Sequence, residues 1–159
     1  MKIIRRKRGN KSKVAKPADI LRGRQLDAQA KIGFIHLISQ EGGVVSAIIA
    51  AVLYGGRTSA TGHAVRKATR DGQLIAVKDK RGSLLIPRWQ FAKEGGALPG
   101  LRETMEVLRQ HPHYHDLLPF TFFLNASARL GGRRPLDLLR SSKELDLRLV
   151  MILAMEAAE

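Results

Sequence analysis

Residues 46–89 read SAIIAAVLYGGRTSATGHAVRKATRDGQLIAVKDKRGSLLIPRW, and this stretch decides the fold that we predict. Ser46 is placed to cap an apolar helix that runs to Tyr54, and the glycines at 55 and 56 end it. Because apolar residues surround most of its circumference, we expect this helix to be buried on most faces.

A second, basic helix is predicted after the turn residues 57–60. Thr61 suits the N-cap position, and Asp71 with Gly72 closes the helix. One face is small and apolar, through Ala64, Val65 and Ala68. The outward face carries His63, Arg66, Lys67 and Arg70. A buried helix, a short turn and a basic helix with a small apolar inner face are typical of a helix-turn-helix.

Two β-prone runs follow, at residues 73–77 and 83–89, on either side of a charged turn that contains glycine. This spacing predicts a β-hairpin, with Pro87 near the end of its second strand. The basic residues near the tip are Lys78, Lys80 and Arg81. They are placed to touch phosphate beside a helix in the major groove, so the hairpin is a candidate wing.

These elements define a predicted DNA-binding surface. We expect His63 and Arg66 to contact base edges, and Thr61 belongs to the same surface. The residues expected to hold phosphates are Thr58, Lys67, Arg70, Lys80 and Arg81. The alternative is a solvated basic face, since amphipathic basic helices are common in strongly basic proteins.

The N-terminus predicts a separate basic arm. Residues 1–17 contain eight basic side chains and no acidic one, so the segment repels itself and should be disordered when unbound. On DNA it can follow phosphates or enter the minor groove, through Arg5, Arg6, Lys7 and Arg8. The alternative is a solvated tail that only raises solubility. A helix over residues 19–40 is predicted to follow, within a helix-turn-helix domain at 18–92.

The charge distribution favours nucleic acid as the partner. The net charge is +14, and residues 1–81 hold 18 Lys/Arg against 5 Asp/Glu, whereas residues 82–159 hold 10 against 9. The sequence shows no basic amphipathic helix with an aromatic face for insertion, which a protein that binds membrane surfaces would need. The absence of cysteine, of a membrane-length apolar run and of a signal-peptide pattern predicts a cytoplasmic, nucleoid-associated protein.

Catalytic motifs are missing from the sequence. We find no phosphate-binding glycine loop, no nucleophile elbow and no His-Glu-x-x-His, so we predict no enzyme and no cofactor. The one tempting cluster is His111, His113 and His115. It supports a metal-dependent enzyme only weakly, because no second ligand cluster is evident, and a polar surface loop explains it.

The C-terminal half predicts a helical module at 101–159, after a glycine-rich linker at 93–100. Helices are expected at 101–110, around 117–124 and from Pro135. Ser141 and Glu144 match a capping box that would open the last helix. Its apolar stripe is Leu145, Leu149, Ile152 and Leu153. The predicted fold is therefore mainly α with a small β-hairpin, a winged-like helix-turn-helix followed by a C-terminal helical module.

Two stretches resemble the Xre/MbcA/ParS antitoxin family. Residues 124–140, with LGGRRPLDLL at 130–139, are similar to its toxin-binding domain. Residues 45–91, with Gly72-Gln73-Leu74 and Pro87-Arg88-Trp89-Gln90-Phe91, look like the short helix-turn-helix of some members. Ser127 and Arg134 replace residues that are often Asn and small polar in that family. The resemblance implies binding to a RES-domain toxin, through Leu130, Gly131, Gly132, Arg133, Arg134, Pro135 and Leu136.

The sequence thus predicts a DNA-binding, antitoxin-like repressor whose C-terminal helices self-associate or hold a toxin. One alternative is a stand-alone regulator, or an accessory protein of a mobile element, with no toxin partner. The leucines and glycines at 130–139 are also explained by a plain dimerisation unit. Under both interpretations we expect the protein to bind double-stranded DNA and to form a homo-oligomer.

Overall fold

The computed structural model describes residues 35–55, 61–79 and 81–158. The chain divides into two compact units, residues 1–36 and residues 37–159. The predicted basic arm and most of the predicted helix 19–40 lie outside the described residues, although residues 35–40 are helical. In the larger unit, helices and a small antiparallel sheet confirm the predicted mainly α fold with a β-hairpin.

The first half of this unit is built on three short strands and two helices. The strands are β1 (Val44–Ser46), β2 (Val77–Lys78) and β3 (Leu84–Pro87). The helices are α1 (Ala47–Gly55) and α2 (Gly62–Arg70). Strand β3 lies in the middle of the sheet, pairing antiparallel with β2 in the predicted hairpin and with β1. Strand β1 was not predicted, because its three residues run straight into an apolar helix.

Small side chains let α1 and α2 approach closely. Ala47, Ala50 and Ala51 of α1 form a buried cluster with Val65 and Ala68 of α2. Leu74 and Ile86 complete that cluster. The prediction that α1 is buried on most faces is wrong, since its larger side chains face outward. The exposed ones are Ile48, Ile49 and Val52.

The second half contains four helices and two 3-10 turns. After the 3-10 turn Arg88–Gln90 come α3 (Leu101–Leu108) and α4 (Leu118–Leu124). After the 3-10 turn Ala128–Leu130 come α5 (Pro135–Ser141) and α6 (Glu144–Ala158). Helix α6 packs against α3 and α5, and α5 also contacts α4. Pro135 begins α5 as predicted, because the first turn of a helix needs no N–H from that residue.

The start of helix α6 departs from the prediction. Ser141 is the last residue of α5 and its hydroxyl donates to Asp146 Oδ2 at 2.5 Å, so the predicted capping box with Glu144 is wrong. In the predicted apolar stripe, Leu145 and Ile152 are exposed, whereas Leu149 and Leu153 are half-buried. The residues of α6 that are buried are Val150 and Ala154.

Trp89 joins the two halves of this unit. Its side chain is buried, and its ring lies 6.3 Å from that of Phe120 and 5.5 Å from that of Phe123, both on α4. The predicted linker 93–100 lies inside the same compact unit, and Leu98 within it is buried. The hairpin and the C-terminal helices therefore share a core, in which truncating such an aromatic side chain typically costs about 3–5 kcal/mol.

Candidate nucleic-acid interface

Helix α2 is held by its inner face and presents its basic face to solvent. The Thr61 hydroxyl accepts the backbone N–H of Ala64 at 3.2 Å, so the predicted N-cap is confirmed. Val65 and Ala68 are buried, which fixes the rotation of the helix about its axis. The predicted outward residues are all exposed: His63, Arg66, Lys67 and Arg70.

A cleft of about 750 Å³ lies between this basic face, the start of α1 and the hairpin. The ionisable side chains on its wall are His63, Arg66, Arg70 and Lys78, and no carboxylate of the described residues lines it. Arg66 and Arg70 form no salt bridge with the carboxylates of the described residues. The cleft therefore offers unpaired cationic donors to an anionic ligand.

The Arg66 guanidinium lies close to Gly62, at an ordinary van der Waals distance. A Cβ atom on Gly62 would lie 3.7 Å from Arg66 Nη1 and 3.8 Å from the Ala47 carbonyl oxygen. The arginine therefore lies back along α2 toward the N-terminus of the helix, as helical side chains do. Arg66 and His63, the two residues predicted to contact base edges, line the same cleft.

Lys67 is engaged within α2. It forms an exposed salt bridge with Asp71, one helical turn further on. The hydrogen bond from Lys67 lowers the pKa of the Asp71 carboxyl below its ordinary value, and the charge of Arg70 lowers it further. Exposed pairs of this kind are weak, so Lys67 remains free to exchange Asp71 for a phosphate.

Asp79 shapes the hairpin tip through its side chain. Its Oδ1 accepts the backbone N–H groups of Arg81 and Ser83, each at 2.8 Å. The chain reverses at Gly82, whose φ of +80° suits glycine. Sequence reasoning missed this role, although an Asp three residues before a Gly is a turn signal. The result is a closed turn that leaves Lys78 and Arg81 exposed, and Lys78 lines the cleft beside α2.

Some predicted contacts lie outside the described residues. They are Arg5, Arg6, Lys7, Arg8, Thr58 and Lys80. Of the predicted DNA-binding set, the structure brings together Thr61, His63, Arg66, Lys67 and Arg70 on α2. Arg81 stands on the adjacent hairpin.

The predicted partner-binding loop is a closed turn between Ser127 and Arg133. The Ser127 N–H donates to the Arg133 carbonyl at 3.0 Å, and the Gly132 N–H donates back to the Ser127 carbonyl at 2.9 Å. Gly131 and Gly132 have φ values of +65° and +80°, and no atom lies within 4 Å of a Cβ built on either. Backbone conformation, not crowding, therefore requires glycine here.

Only part of this predicted set is available to a partner. Gly131, Gly132 and Arg133 are exposed. The buried residues of the set, which belong to the core of the module, are Leu130, Pro135 and Leu136. Their side chains hold the loop in place, so a direct contact with a partner falls to the three exposed residues.

Arg134 is occupied inside the chain. It donates to both carboxylate oxygens of Asp137, at 2.6 and 2.8 Å, and to Glu41 Oε1 at 2.5 Å. Arg140 donates to the second Glu41 oxygen at 2.7 Å. Burial raises the pKa of Glu41, but these hydrogen bonds from Arg140 and Arg134 outweigh it and leave the pKa below its ordinary value. The hydrogen bond with Asp137 raises the pKa of Arg134. Sequence reasoning missed Glu41, which lies 93 residues from Arg134.

The buried side chain of Gln90 forms hydrogen bonds with the backbone of two neighbouring segments. Its amide oxygen accepts the Ile75 N–H at 2.7 Å, and its amide nitrogen donates to the Ile75 carbonyl at 2.8 Å and to the Pro87 carbonyl at 3.0 Å. Gln90 is fully buried, so each of these backbone groups depends on it. In the Pro-x-Trp-Gln-Phe motif, the Trp and Gln therefore fix the hairpin to its surroundings.

Comparison with known proteins identifies a structure of similar fold but no family. No protein-family model matches the sequence, and no curated protein matches it. The chain is similar in fold to Rv2175c. The NMR structure of Rv2175c is 23% identical in sequence, with a TM-score of 0.57 over 73% of this chain and 81% of that chain. At this identity the likeness concerns the fold alone.

The histidines of the 111–115 segment do not converge. His111 Nδ1 accepts the backbone N–H of His113 at 2.9 Å, and the two rings lie 5.9 Å apart. Within residues 35–55, 61–79 and 81–158, no group of three His, Cys, Asp or Glu residues is arranged to hold a metal. Across the same ranges, no helix has the length and apolarity needed to cross a membrane.

Proposed function

We propose that this protein binds double-stranded DNA as a transcriptional regulator, with α2 in the major groove and the hairpin on the flanking backbone. The observation that carries the proposal is the cleft between α2 and the hairpin. Its ionisable wall residues are His63, Arg66, Arg70 and Lys78, with no carboxylate among them. Such a surface attracts a polyanion at long range and holds it at short range.

The arrangement fits the dimensions of B-DNA. The major groove, roughly 12 Å wide, admits one α-helix, and an arginine there can donate two hydrogen bonds to a guanine edge. Arg66 lies in the middle of α2 on its exposed face, and its side chain extends back toward the start of the helix, where recognition helices make base contacts. Lys78 on the hairpin lines the cleft with this helix, and Arg81 is exposed on the same hairpin, so both are suited to phosphates.

The finer part of the proposal is an antitoxin-like role in the cytoplasm, on the nucleoid. It rests on the resemblance of residues 124–140 to a toxin-binding domain. The exposed Gly131, Gly132 and Arg133 form a loop that a RES-type toxin would contact. The competing proposal is a stand-alone regulator, or an accessory protein of a mobile element, in which the same loop has no toxin to bind.

DNA binding is tested by fluorescence anisotropy with a labelled duplex over a series of salt concentrations. Each phosphate that the protein neutralises should add about 0.9 to the slope of log affinity against log salt. We expect Arg70→Ala to reduce the slope by about one such unit, and Arg66→Ala to relax the preference among sequences by roughly 1–3 kcal/mol.

Arg102→Ala is the matched control. Arg102 is an exposed arginine on α3 that pairs with Glu106 one turn away, and it does not line the cleft. This variant should bind DNA like the wild type. A salt-independent affinity would refute the nucleic-acid proposal, and equal effects of Arg102→Ala and Arg66→Ala would refute the assignment of α2.

The toxin proposal has its own test. The tagged chain is recovered from its native cell after nuclease treatment, and bound proteins are identified by mass spectrometry. An antitoxin retains a stoichiometric RES-type partner that Arg133→Glu releases and Arg102→Glu does not. Recovery of the chain without such a partner favours the stand-alone regulator.

A further inference from the structure

The cleft between α2 and the hairpin has apolar walls as well as cationic ones. Ile48, at the start of α1, and Leu84, on β3, line it together with the basic side chains of α2. The Ile48 side chain is 74% exposed, so it contributes apolar surface that the described chain leaves uncovered. Phosphate groups bring charge and no apolar surface. A duplex held in this cleft by its phosphates alone would therefore leave Ile48 without a partner.

The start of α1 lies against the start of α2. A Cβ atom on Gly62, the first residue of α2, would lie 3.8 Å from the carbonyl oxygen of Ala47 and 3.7 Å from Arg66 Nη1. The backbone just before Ile48 thus approaches the part of α2 to which the Arg66 guanidinium extends. Because Ile48 and Arg66 also line the same cleft, a duplex that enters it meets both side chains together.

We propose that Ile48 is a specificity-determining residue that contacts the 5-methyl group of a thymine in the major groove. This inference rests on the DNA-binding proposal and adds the base that the start of α1 contacts. Thymine is the base that presents a methyl group on its major-groove edge, beside the hydrogen-bonding groups that all four bases present there. The isoleucine side chain forms no hydrogen bonds, so thymine is the base that it complements. The preferred sequence then contains a thymine beside the base that Arg66 contacts.

The neighbouring side chains of α1 limit the inference to Ile48. Ile49 and Val52 are also exposed, at 53% and 72%, but they do not line the cleft. Val52 is therefore a matched control, with a branched apolar side chain on the same helix and a similar exposed fraction. The alternative ligand for Ile48 is deoxyribose carbon, which every sequence presents and which therefore gives no preference for thymine.

The test removes one methyl group from the DNA. Selection from a pool of random duplexes gives the preferred sequence, and each of its thymines is replaced in turn by deoxyuridine, which lacks only the 5-methyl group. At one position this should weaken binding by the wild type about fourfold, the loss expected for one buried methyl group. Ile48→Ser should bind the thymine duplex at least as weakly as that and should not distinguish deoxyuridine from thymine there. Val52→Ser should match the wild type with both duplexes, and circular dichroism should show both variants folded.

The results separate this inference from the DNA-binding proposal. Salt-dependent binding with no enriched thymine, or with no response to any deoxyuridine, would overturn the role of Ile48 and leave DNA binding in place. A methyl effect that persists in Ile48→Ser would assign the methyl group to another residue, and this also overturns the inference. If Ile48→Ser lost affinity equally for thymine and deoxyuridine duplexes while the wild type ignored the methyl group, the contact would be to deoxyribose. A wild-type chain with no salt-dependent affinity for DNA would refute both proposals.

Discussion

At the scale of single residues, Glu41 is the acidic side chain with the most arginine partners in the described part of the chain. Its side chain is 11% exposed and binds two arginines, Arg134 and Arg140. Glu41→Gln leaves both guanidinium groups with a poorer acceptor, so we expect the free energy of unfolding to fall by about 1–3 kcal/mol at pH 7. Urea denaturation measures this change in the free energy of unfolding.

The pH dependence of this contribution has a defined sign. The folded-state pKa of Glu41 lies below its ordinary value. The stabilisation is therefore complete above the ordinary pKa of glutamate, about 4.3, and is lost as the pH falls through the lowered pKa of the folded state. The difference between wild type and Glu41→Gln should therefore shrink in acid. Glu106→Gln, which removes an exposed pair with Arg102, is the control and should cost less than about 1 kcal/mol. A constant difference from pH 7 to about pH 3 would contradict the assignment.

At the scale of elements, the sequence predicted what local signals specify. The cap at Thr61, the turn at Gly72 and the first position of α5 at Pro135 each depend on neighbours within about one helical turn, and all three are confirmed. The outer face of α2 followed from its helical period.

Contacts between distant segments were beyond sequence reasoning. Strand β1 exists because Val44–Ser46 pairs with β3, about 40 residues later. The stripe on α6 was readable from its period, but a period shows that a face is apolar, not which neighbour covers it. In the candidate site, the basic residues of α2 were predictable, whereas the arginine partners of Glu41 were not.

The element most dependent on one side chain is the segment that follows α2, which Gln90 holds by the Ile75 backbone. Gln90→Ala leaves a buried N–H and a buried carbonyl without partners, so we expect a loss of about 2–4 kcal/mol. Hydrogen exchange gives a sharper readout, because the Ile75 amide should lose its protection. Gln110→Ala, at an exposed position, is the control. An Ile75 amide that stays protected in Gln90→Ala would show that the Gln90 bond is dispensable.

At the scale of the whole molecule, residues 37–159 should unfold as one cooperative unit. Trp89 is the only tryptophan, and it lies between the hairpin and Phe120 and Phe123 of α4. Its fluorescence therefore reports the junction, while far-ultraviolet circular dichroism reports the helices. We expect both signals to give the same transition in urea, as two-state folding requires.

If the predicted linker 93–100 separated two independent domains, Trp89→Phe would shift only one of two transitions. One transition that moves as a whole in Trp89→Phe would instead show that α2 and the C-terminal helices share their stability. The partner that we propose at Gly131–Arg133 would then also stabilise α2 when it binds.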